Sequence, residues 1–413
     1  MLLKTIGKQL SYGLIAQIIT FAITPIITRL YSPEEFGVFN NVVLWAGFLL
    51  PIIALSLPTA IVLQKSNAMA MRASRACMTI SLIVSVGILL IIALLSISIS
   101  VELSSHLLLA TLLAIILNCN DIFAYTLIRC GKLRTRGVIL LIQALITGLL
   151  KIALGLSIPT YSALVLATIL GYVFCFLLFY KESSAVFKNF RIKDSTFLIK
   201  RYKEIVIFRM PQNLVTAANQ LIPVFFITYY FGAVFAGLYA LSRTVIVMPF
   251  TVLGRAVQDV LYPRYVTLIQ KHKKISNEIT KVIIFSLVLS MLPMIVLWLY
   301  GTEIFQILFG EKWTESGVLA FWMIIPNVIM FSNKALIVLV SIFKIEKSLL
   351  VNSVFLLILN LACYAILPQL GWSELDAVIY GSLLSTLPHF LLSYICLREV
   401  YKYENKRSSL RSL

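Results

Sequence analysis

Residues 76–98 read ACMTISLIVSVGILLIIALLSIS, without one charged side chain. A helix crosses the hydrocarbon of a bilayer with about 20 mostly apolar residues, so this run is long enough on its own. Comparable runs occupy 10–30, 38–63, 107–128, 138–157 and 162–180, then 205–229, 239–259, 278–300, 318–340, 349–367 and 376–397. With 76–98 that makes twelve predicted spans. The 413 residues are 60% hydrophobic and 13% charged, with a mean hydropathy of +0.96. A soluble domain carries about a quarter charged residues, so the composition excludes a cytosolic enzyme, a secreted disulfide scaffold and a free nucleic-acid-binding protein.

The net charge is +18, from 35 Lys and Arg against 17 Asp and Glu. The short loops alternate in character. Lys65, Arg72 and Arg75, then Arg129, Lys132, Arg134 and Arg136, then Arg264, Lys271, Lys273 and Lys274, then Lys344 and Lys347 fall on one side. Glu34, Glu35, Glu102, Glu303, Glu311, Glu315, Glu374 and Asp376 fall on the other, with Arg29 and Lys312 as its cations. By the positive-inside rule the basic side is cytoplasmic, and an even number of spans returns both termini there. The cations are spread over loops rather than gathered in a patch, so no nucleic-acid partner is expected. The first apolar run continues through Pro25 to Arg29 without a small-x-small cleavage site, which marks a retained span rather than a signal peptide.

The longest polar interruption, Lys181 to Glu204, carries Lys181, Lys188, Arg191, Lys193, Lys200, Arg201 and Lys203. It divides the chain into a six-span bundle over 1–180, a basic cytoplasmic linker over 181–204, and a second six-span bundle with a basic tail over 205–413. Six spans per half make any repeat parallel, about an axis along the membrane normal. A trace of it lies at an offset of 200, where Phe36-Gly37-Val38-Phe39 faces Ala236-Gly237-Leu238-Tyr239. The expected fold is all-α, two six-helix bundles related by a pseudo-two-fold.

Polar residues recur at helical spacing in several spans. Gln9, Gly13, Gln17, Thr20, Thr24 and Thr28 line the first; Arg209, Gln212, Asn213, Thr216, Asn219 and Gln220 line the seventh. Such faces serve either as glue between helices or as the wall of a polar cavity. Their equivalent places in the two halves favour the cavity. Charges inside spans say more, because each costs a few kcal/mol at mid-bilayer. Lys151 lies well inside the fifth span, Lys334 in the tenth, Arg243 in the eighth and Asp121 in the fourth, while Arg209, Arg29 and Arg129 are close enough to span ends to snorkel. One deep acid cannot balance these bases. The simplest remaining counter-charge is an anionic cargo.

Other chemistry is missing. There is no G-x-x-x-x-G-K-[ST] and no H-E-x-x-H, no Ser/His/Asp set and no metal-ligand spacing; the six cysteines form no C-x-x-C. No enzyme activity, cofactor or metal is expected.

The segment Thr28-Arg29-Leu30-Tyr31-Ser32-Pro33-Glu34-Glu35-Phe36-Gly37-Val38-Phe39 resembles the stretch after the first helix of polysaccharide exporters in the MOP flippase superfamily, the Wzx-type O-antigen flippases in particular. Leu261-Tyr262-Pro263-Arg264 and Ile307-Leu308-Phe309-Gly310-Glu311-Lys312-Trp313 are further echoes. The resemblance implies a bacterial inner-membrane protein with a V-shaped, cationic central cavity. It would move an undecaprenyl-diphosphate-linked oligosaccharide from the cytoplasmic to the periplasmic leaflet by alternating access, driven by an H+ or Na+ gradient, as a monomer by default. A polymerase and a chain-length regulator of the same pathway are the implied partners.

On that reading Lys151, Lys334, Arg243, Arg209 and Arg29 are candidates for the diphosphate, and Gln17, Thr20, Gln212, Asn213, Thr216, Asn219 and Gln220 for sugar hydroxyls. Asp121 is the candidate for the coupling ion, with a pairing to a nearby cation as its other reading. Three alternatives remain. A MATE-like multidrug exporter needs more cavity acids than this chain has. A membrane polymerase or ligase usually carries a larger external loop than 301–316. A carrier of the peptidoglycan precursor generally has extra spans.

Overall fold

The computed structural model describes residues 2–98, 100–178, 192–271, 274–343 and 345–411. Among them all regular structure is helical: α1 (Leu2–Leu30), α2 (Pro33–Ala54), α3 (Asn67–Leu95), α4 (Val101–Arg129), α5 (Leu133–Ser157), α6 (Tyr161–Leu178), α7 (Ile192–Arg201), α8 (Met210–Gln270), α9 (Ser276–Phe309), α10 (Thr314–Ser332), α11 (Lys334–Ile342), α12 (Glu346–Leu361), α13 (Glu374–Leu384) and α14 (Thr386–Arg411). Short 3-10 and π turns join some of them. In lipid every backbone polar group must be satisfied within the segment, which is why an apolar chain of this kind folds as helices.

Eleven helical stretches among the described residues are long and apolar enough to span a bilayer. The longest, Ile205–Gln270, has 66 residues, roughly 100 Å if straight, against a hydrocarbon core of about 30 Å. It is broken at Gly232, where φ is 87° and ψ 169°. That backbone suits only glycine, and the break separates the seventh and eighth predicted spans. Counted on either side of that break, the described residues hold twelve stretches that are candidates to cross.

The break also gives the offset of 200 a structural meaning. Ser32 ends the first turn-over of the chain and α2 begins at Pro33; Gly232 ends the other and helix resumes at 233. The four residues matched at that offset are mostly buried: Phe36, Gly37 and Phe39 in one case, Ala236 through Tyr239 in the other.

The contacts divide the chain into two compact units, Met1–Leu221 and Ile222–Leu413. In the first, α1 packs on α5, α2 and α3 on α4, and α5 on α6. Local signals set the ends of these helices. Ser32 caps α2, its hydroxyl accepting the Glu35 amide at 3.3 Å, with Pro33 at the first helical position. Glu35 in turn accepts the backbone N–H of Tyr161, so one helix start caps another. The lower core gathers Leu57, Ile61, Ala70, Ala73, Cys77 and Ile122, with Leu198 of α7 among them.

In the second unit, α9 and α10 form a tight hairpin, α10 packs on α13, and α12 on α14. The hairpin closes on Gly301 and Gly317; a Cβ on Gly317 would stand 2.2 Å from the Gly301 carbonyl oxygen. Without a hydrophobic drive between helices in lipid, such close backbone approach supplies the packing. On the outer face of α9, Phe285, Val288, Leu292 and Leu299 are all more than half exposed at helical spacing. That is the lipid-facing stripe of the span.

Candidate functional site

Lys151 lies six residues before the end of α5 at Ser157, about 9 Å along the helix axis. Its ammonium does not run to the surface. It rests 4.5 Å from the centre of the Phe39 ring of α2, and no carboxylate pairs with it among the described residues. The neighbouring backbone is held firmly, since the Tyr31 hydroxyl donates to the Lys151 carbonyl at 2.9 Å. A desolvated cation–π contact is worth about 2 kcal/mol, and a lysine at mid-span costs about 2.5–3.5 kcal/mol. The ring offsets most of the cost but brings no negative charge.

Asp121 of α4 lines a cavity of about 140 Å³ with Asn120, Phe123, Leu127 and, from α5, Arg136 and Leu140. Asp121 and Arg136 attract one another electrostatically across it without a direct ion pair. Arg136 reads in the sequence as a loop cation; the structure instead turns it toward the cavity, with Nε buried and lacking a hydrogen-bond partner among the described residues. The signal was legible, because Arg136, Leu140, Gln143, Thr147 and Lys151 lie on one α5 face in steps of four and three. Gln143 hydrogen-bonds Tyr172 of α6, which is within electrostatic reach of Asp121. Asn118 Oδ1, Gln143 Oε1 and Thr147 Oγ1 are buried with no hydrogen-bond partner in the protein, and each such atom costs about 1–3 kcal/mol. The cavity between α4 and α5 thus holds one acid and a facing cation.

The polar faces of the first and seventh spans are partly committed to local bonds. Thr20 donates to Ala16 O and Thr216 to Gln212 O, both at 2.9 Å. Gln17 and Gln212 are part-buried, and Asn219 and Gln220 take part in interactions of their own. Asn213 donates to Ser56 Oγ at 3.0 Å. Leu55 and Ser56, with φ of 46° and 53°, carry the left-handed break between α2 and the 3-10 turn Leu57–Ile61. Left-handed backbone is uncommon outside glycine. Arg29, at the end of α1, and Arg209, at the end of the π turn Ile205–Arg209, are exposed, as snorkelling end residues would be.

In the second unit Lys334 opens α11, and its stem crosses Gly254 so closely that a Cβ there would meet Cε at 2.8 Å. Its charge and that of Arg255 repel, and His389 feels the same field. Two helix breaks are stitched together here: Asn333 donates to the His389 carbonyl at 2.8 Å, and the Ser393 hydroxyl donates to Asn333 Oδ1 at 2.8 Å. Arg255 and His389 were not among the residues expected to accompany Lys334. Arg243 is part-buried and acts electrostatically on the buried tyrosines Tyr239 and Tyr364. The five cationic candidates are therefore divided: Lys151, Arg29 and Arg209 lie in the first unit, Lys334 and Arg243 in the second. Among the described residues no group of His, Cys, Asp and Glu could hold a metal.

Residues 26–318 match the family described as polysaccharide biosynthesis protein. The chain belongs to that family. Its fold is that of MOP-superfamily transporters. An inward-facing multidrug-resistance MATE transporter is 13% identical and has a TM-score of 0.71, covering 94% of this chain and 96% of its own. The lipid II flippase MurJ, in an inward closed conformation, is 10% identical with a TM-score of 0.75, covering 96% of this chain and 89% of its own. A MOP transporter from Pyrococcus furiosus, for which a reversed binding-pocket polarity suggests a different function, is 14% identical with a TM-score of 0.54, covering 97% and 95%. No curated protein matches. At these identities the likeness shows fold alone; the residues that distinguish this polysaccharide-biosynthesis protein must come from its own geometry.

Proposed function

We propose that this protein is a flippase for an undecaprenyl-diphosphate-linked oligosaccharide, the repeat unit of O-antigen or a related surface polysaccharide. It moves the unit from the cytoplasmic to the periplasmic leaflet of a bacterial inner membrane by alternating access. Family membership supports polysaccharide assembly, and the fold supports movement of a cargo through lipid. The observation that carries the choice of cargo is Lys151, a cation within a span that has a ring for company and no acid paired with it among the described residues. An anion arriving there gains the Coulomb energy that the resting site lacks. A cationic drug would be repelled, which disfavours the multidrug reading.

In this account Lys151 is the candidate of the first unit for the diphosphate, with Arg209 and Arg29 near its span ends, and Lys334 and Arg243 are the candidates of the second. Gln17, Thr20, Gln212, Asn213, Thr216, Asn219 and Gln220 serve the sugar hydroxyls. Asp121 couples transport to an H+ or Na+ gradient: its carboxylate, sharing a cavity with Arg136, exchanges a bound cation for the attraction of Arg136. The protein forms no covalent intermediate and is not an enzyme. The test is a deletion strain complemented with Lys151→Ala at wild-type protein level. Loss of surface polymer, build-up of one lipid-linked repeat unit and unchanged drug susceptibility are expected. Normal polymer with heightened drug sensitivity in the deletion strain would establish the rival exporter.

A further inference from the structure

Helix α2 stops after Ala54 on a backbone that the stop alone does not require. A left-handed helix end takes one residue, usually glycine. Here two follow in a row, Leu55 at φ 46° and Ser56 at φ 53°, and neither is glycine. Leu55 already serves as the cap, its N–H donating to the Ile52 carbonyl at 3.3 Å. Ser56 is the left-handed residue in excess, and outside glycine that backbone costs free energy. Residues in such conformations persist where their surroundings hold them, and they gather at ligand sites.

Two hydrogen bonds hold Ser56. Its carbonyl accepts the Thr59 hydroxyl at 3.0 Å, and its own hydroxyl accepts Asn213 Nδ2 at 3.0 Å. The 3-10 turn that follows is anchored in the core, since Leu57, Ala60 and Ile61 have no exposed surface. Ser56 is itself buried, whereas Asn213 is exposed. Asn213 heads a row on α8: Thr216 and Gln220, three and seven positions on, share its face and are exposed too. An exposed amide is thus tied at one end to a buried hydroxyl.

An asparagine amide carries two N–H donors and one carbonyl acceptor. With one N–H on Ser56 the amide has a set orientation, and the other N–H and Oδ1 are left for a ligand. That donor and acceptor match two neighbouring hydroxyls of a sugar ring, one accepting and one donating. We propose that Ser56 is a positioning residue for the saccharide of the cargo. Its hydroxyl, aimed by the left-handed backbone, fixes the Asn213 amide in the orientation that reads a vicinal pair of sugar hydroxyls. The inference rests on Asn213 as a sugar contact and adds the residue that sets its geometry. Plain glue between helices would use the same bond, but it would not distinguish a saccharide from the lipid that carries it.

The experiment uses the full-length protein in proteoliposomes, with a tagged undecaprenyl-diphosphate oligosaccharide as the transported probe and sugar-free undecaprenyl diphosphate as competitor. Ser56→Ala should raise KM for the oligosaccharide about fivefold, the size of one neutral hydrogen bond. Its kcat should stay within about twofold of wild type, and the inhibition constant of the sugar-free lipid should not change. Ser56→Gly removes the hydroxyl but suits the left-handed backbone, so it should melt higher than Ser56→Ala and show the same KM. That variant keeps the test readable where Ser56→Ala fails to fold. Asn213→Ala should raise KM at least as far, and the double variant Ser56→Ala, Asn213→Ala no further than Asn213→Ala alone. A wild-type KM in Ser56→Gly, or an equal rise in KM and in the sugar-free inhibition constant, would overturn the positioning role. A wild-type KM in Asn213→Ala would remove Asn213 from the sugar, and absence of transfer by the wild-type protein would overturn the flippase reading; this inference would fall with either.

Discussion

The ammonium of Lys151 stands 4.5 Å from the centre of the Phe39 ring, and the Lys151 backbone carbonyl accepts the Tyr31 hydroxyl at 2.9 Å. Two helices, α2 and α5, and the connection after α1 thus hold one cation inside the first unit. Lys151→Met keeps the stem and removes the charge, so export should fall to background while the purified protein melts at least as high as wild type. Phe39→Leu removes the ring and keeps the charge; it should lower thermal stability by up to about 2 kcal/mol yet retain export. Surface polymer and thermal melting in detergent check both. Export that survives in Lys151→Met would separate this residue from the cargo.

Asp121 and Arg136 face one another across the α4–α5 cavity. If they exchange a cation for mutual attraction, Asp121→Asn should abolish gradient-driven transport, and Arg136→Gln should leave a carboxylate that holds its cation too tightly. Both single variants are expected to be slow, with the double variant no slower than Asp121→Asn alone. Transport driven by imposed H+ or Na+ gradients in proteoliposomes measures this. Equal gradient dependence in wild type and Asp121→Asn would remove Asp121 from coupling.

The carboxylate of Glu35 accepts the Tyr161 backbone N–H, capping α6 from α2. Glu35→Ala should cost about 1 kcal/mol, as loss of a cap usually does. A drop of a few degrees in melting, with export intact, is the expected outcome.

Gly301 and Gly317 predict an asymmetry. A methyl at Gly317 would stand 2.2 Å from backbone, whereas one at Gly301 would meet the Gly317 carbonyl at 3.0 Å. Gly317→Ala should therefore yield much less folded protein than Gly301→Ala. Size-exclusion profiles of the two variants, prepared side by side, give the comparison.

Much of the fold is legible in the chain because a bilayer imposes a crude rule: about 20 apolar residues make a crossing. The seventh and eighth spans read as two, and the structure separates them at Gly232. What sequence could not supply was partnership. Thr20 and Thr216 look identical in a pattern whether their hydroxyls face a sugar or bond the preceding turn, and the structure has them bonding the preceding turn. The sequence reads Lys151 as a cation inside a span, but its ring comes from a residue more than a hundred positions away. Arg136 reads as a loop residue because it lies near the start of α5; only the packing of α4 turns it toward Asp121. Helix α7 was hidden in a basic linker, because ten residues of mixed polarity resemble solvated chain until Leu198 finds the core.

The most direct test is reconstitution of the purified protein in proteoliposomes loaded with an undecaprenyl-diphosphate oligosaccharide that carries a fluorescent sugar tag, quenchable only from outside. The account predicts time-dependent transfer of the tagged lipid across the bilayer by wild type and none by Lys151→Ala. Transfer at equal rates by both proteins, or wild-type transport of a cationic dye in its place, would contradict it.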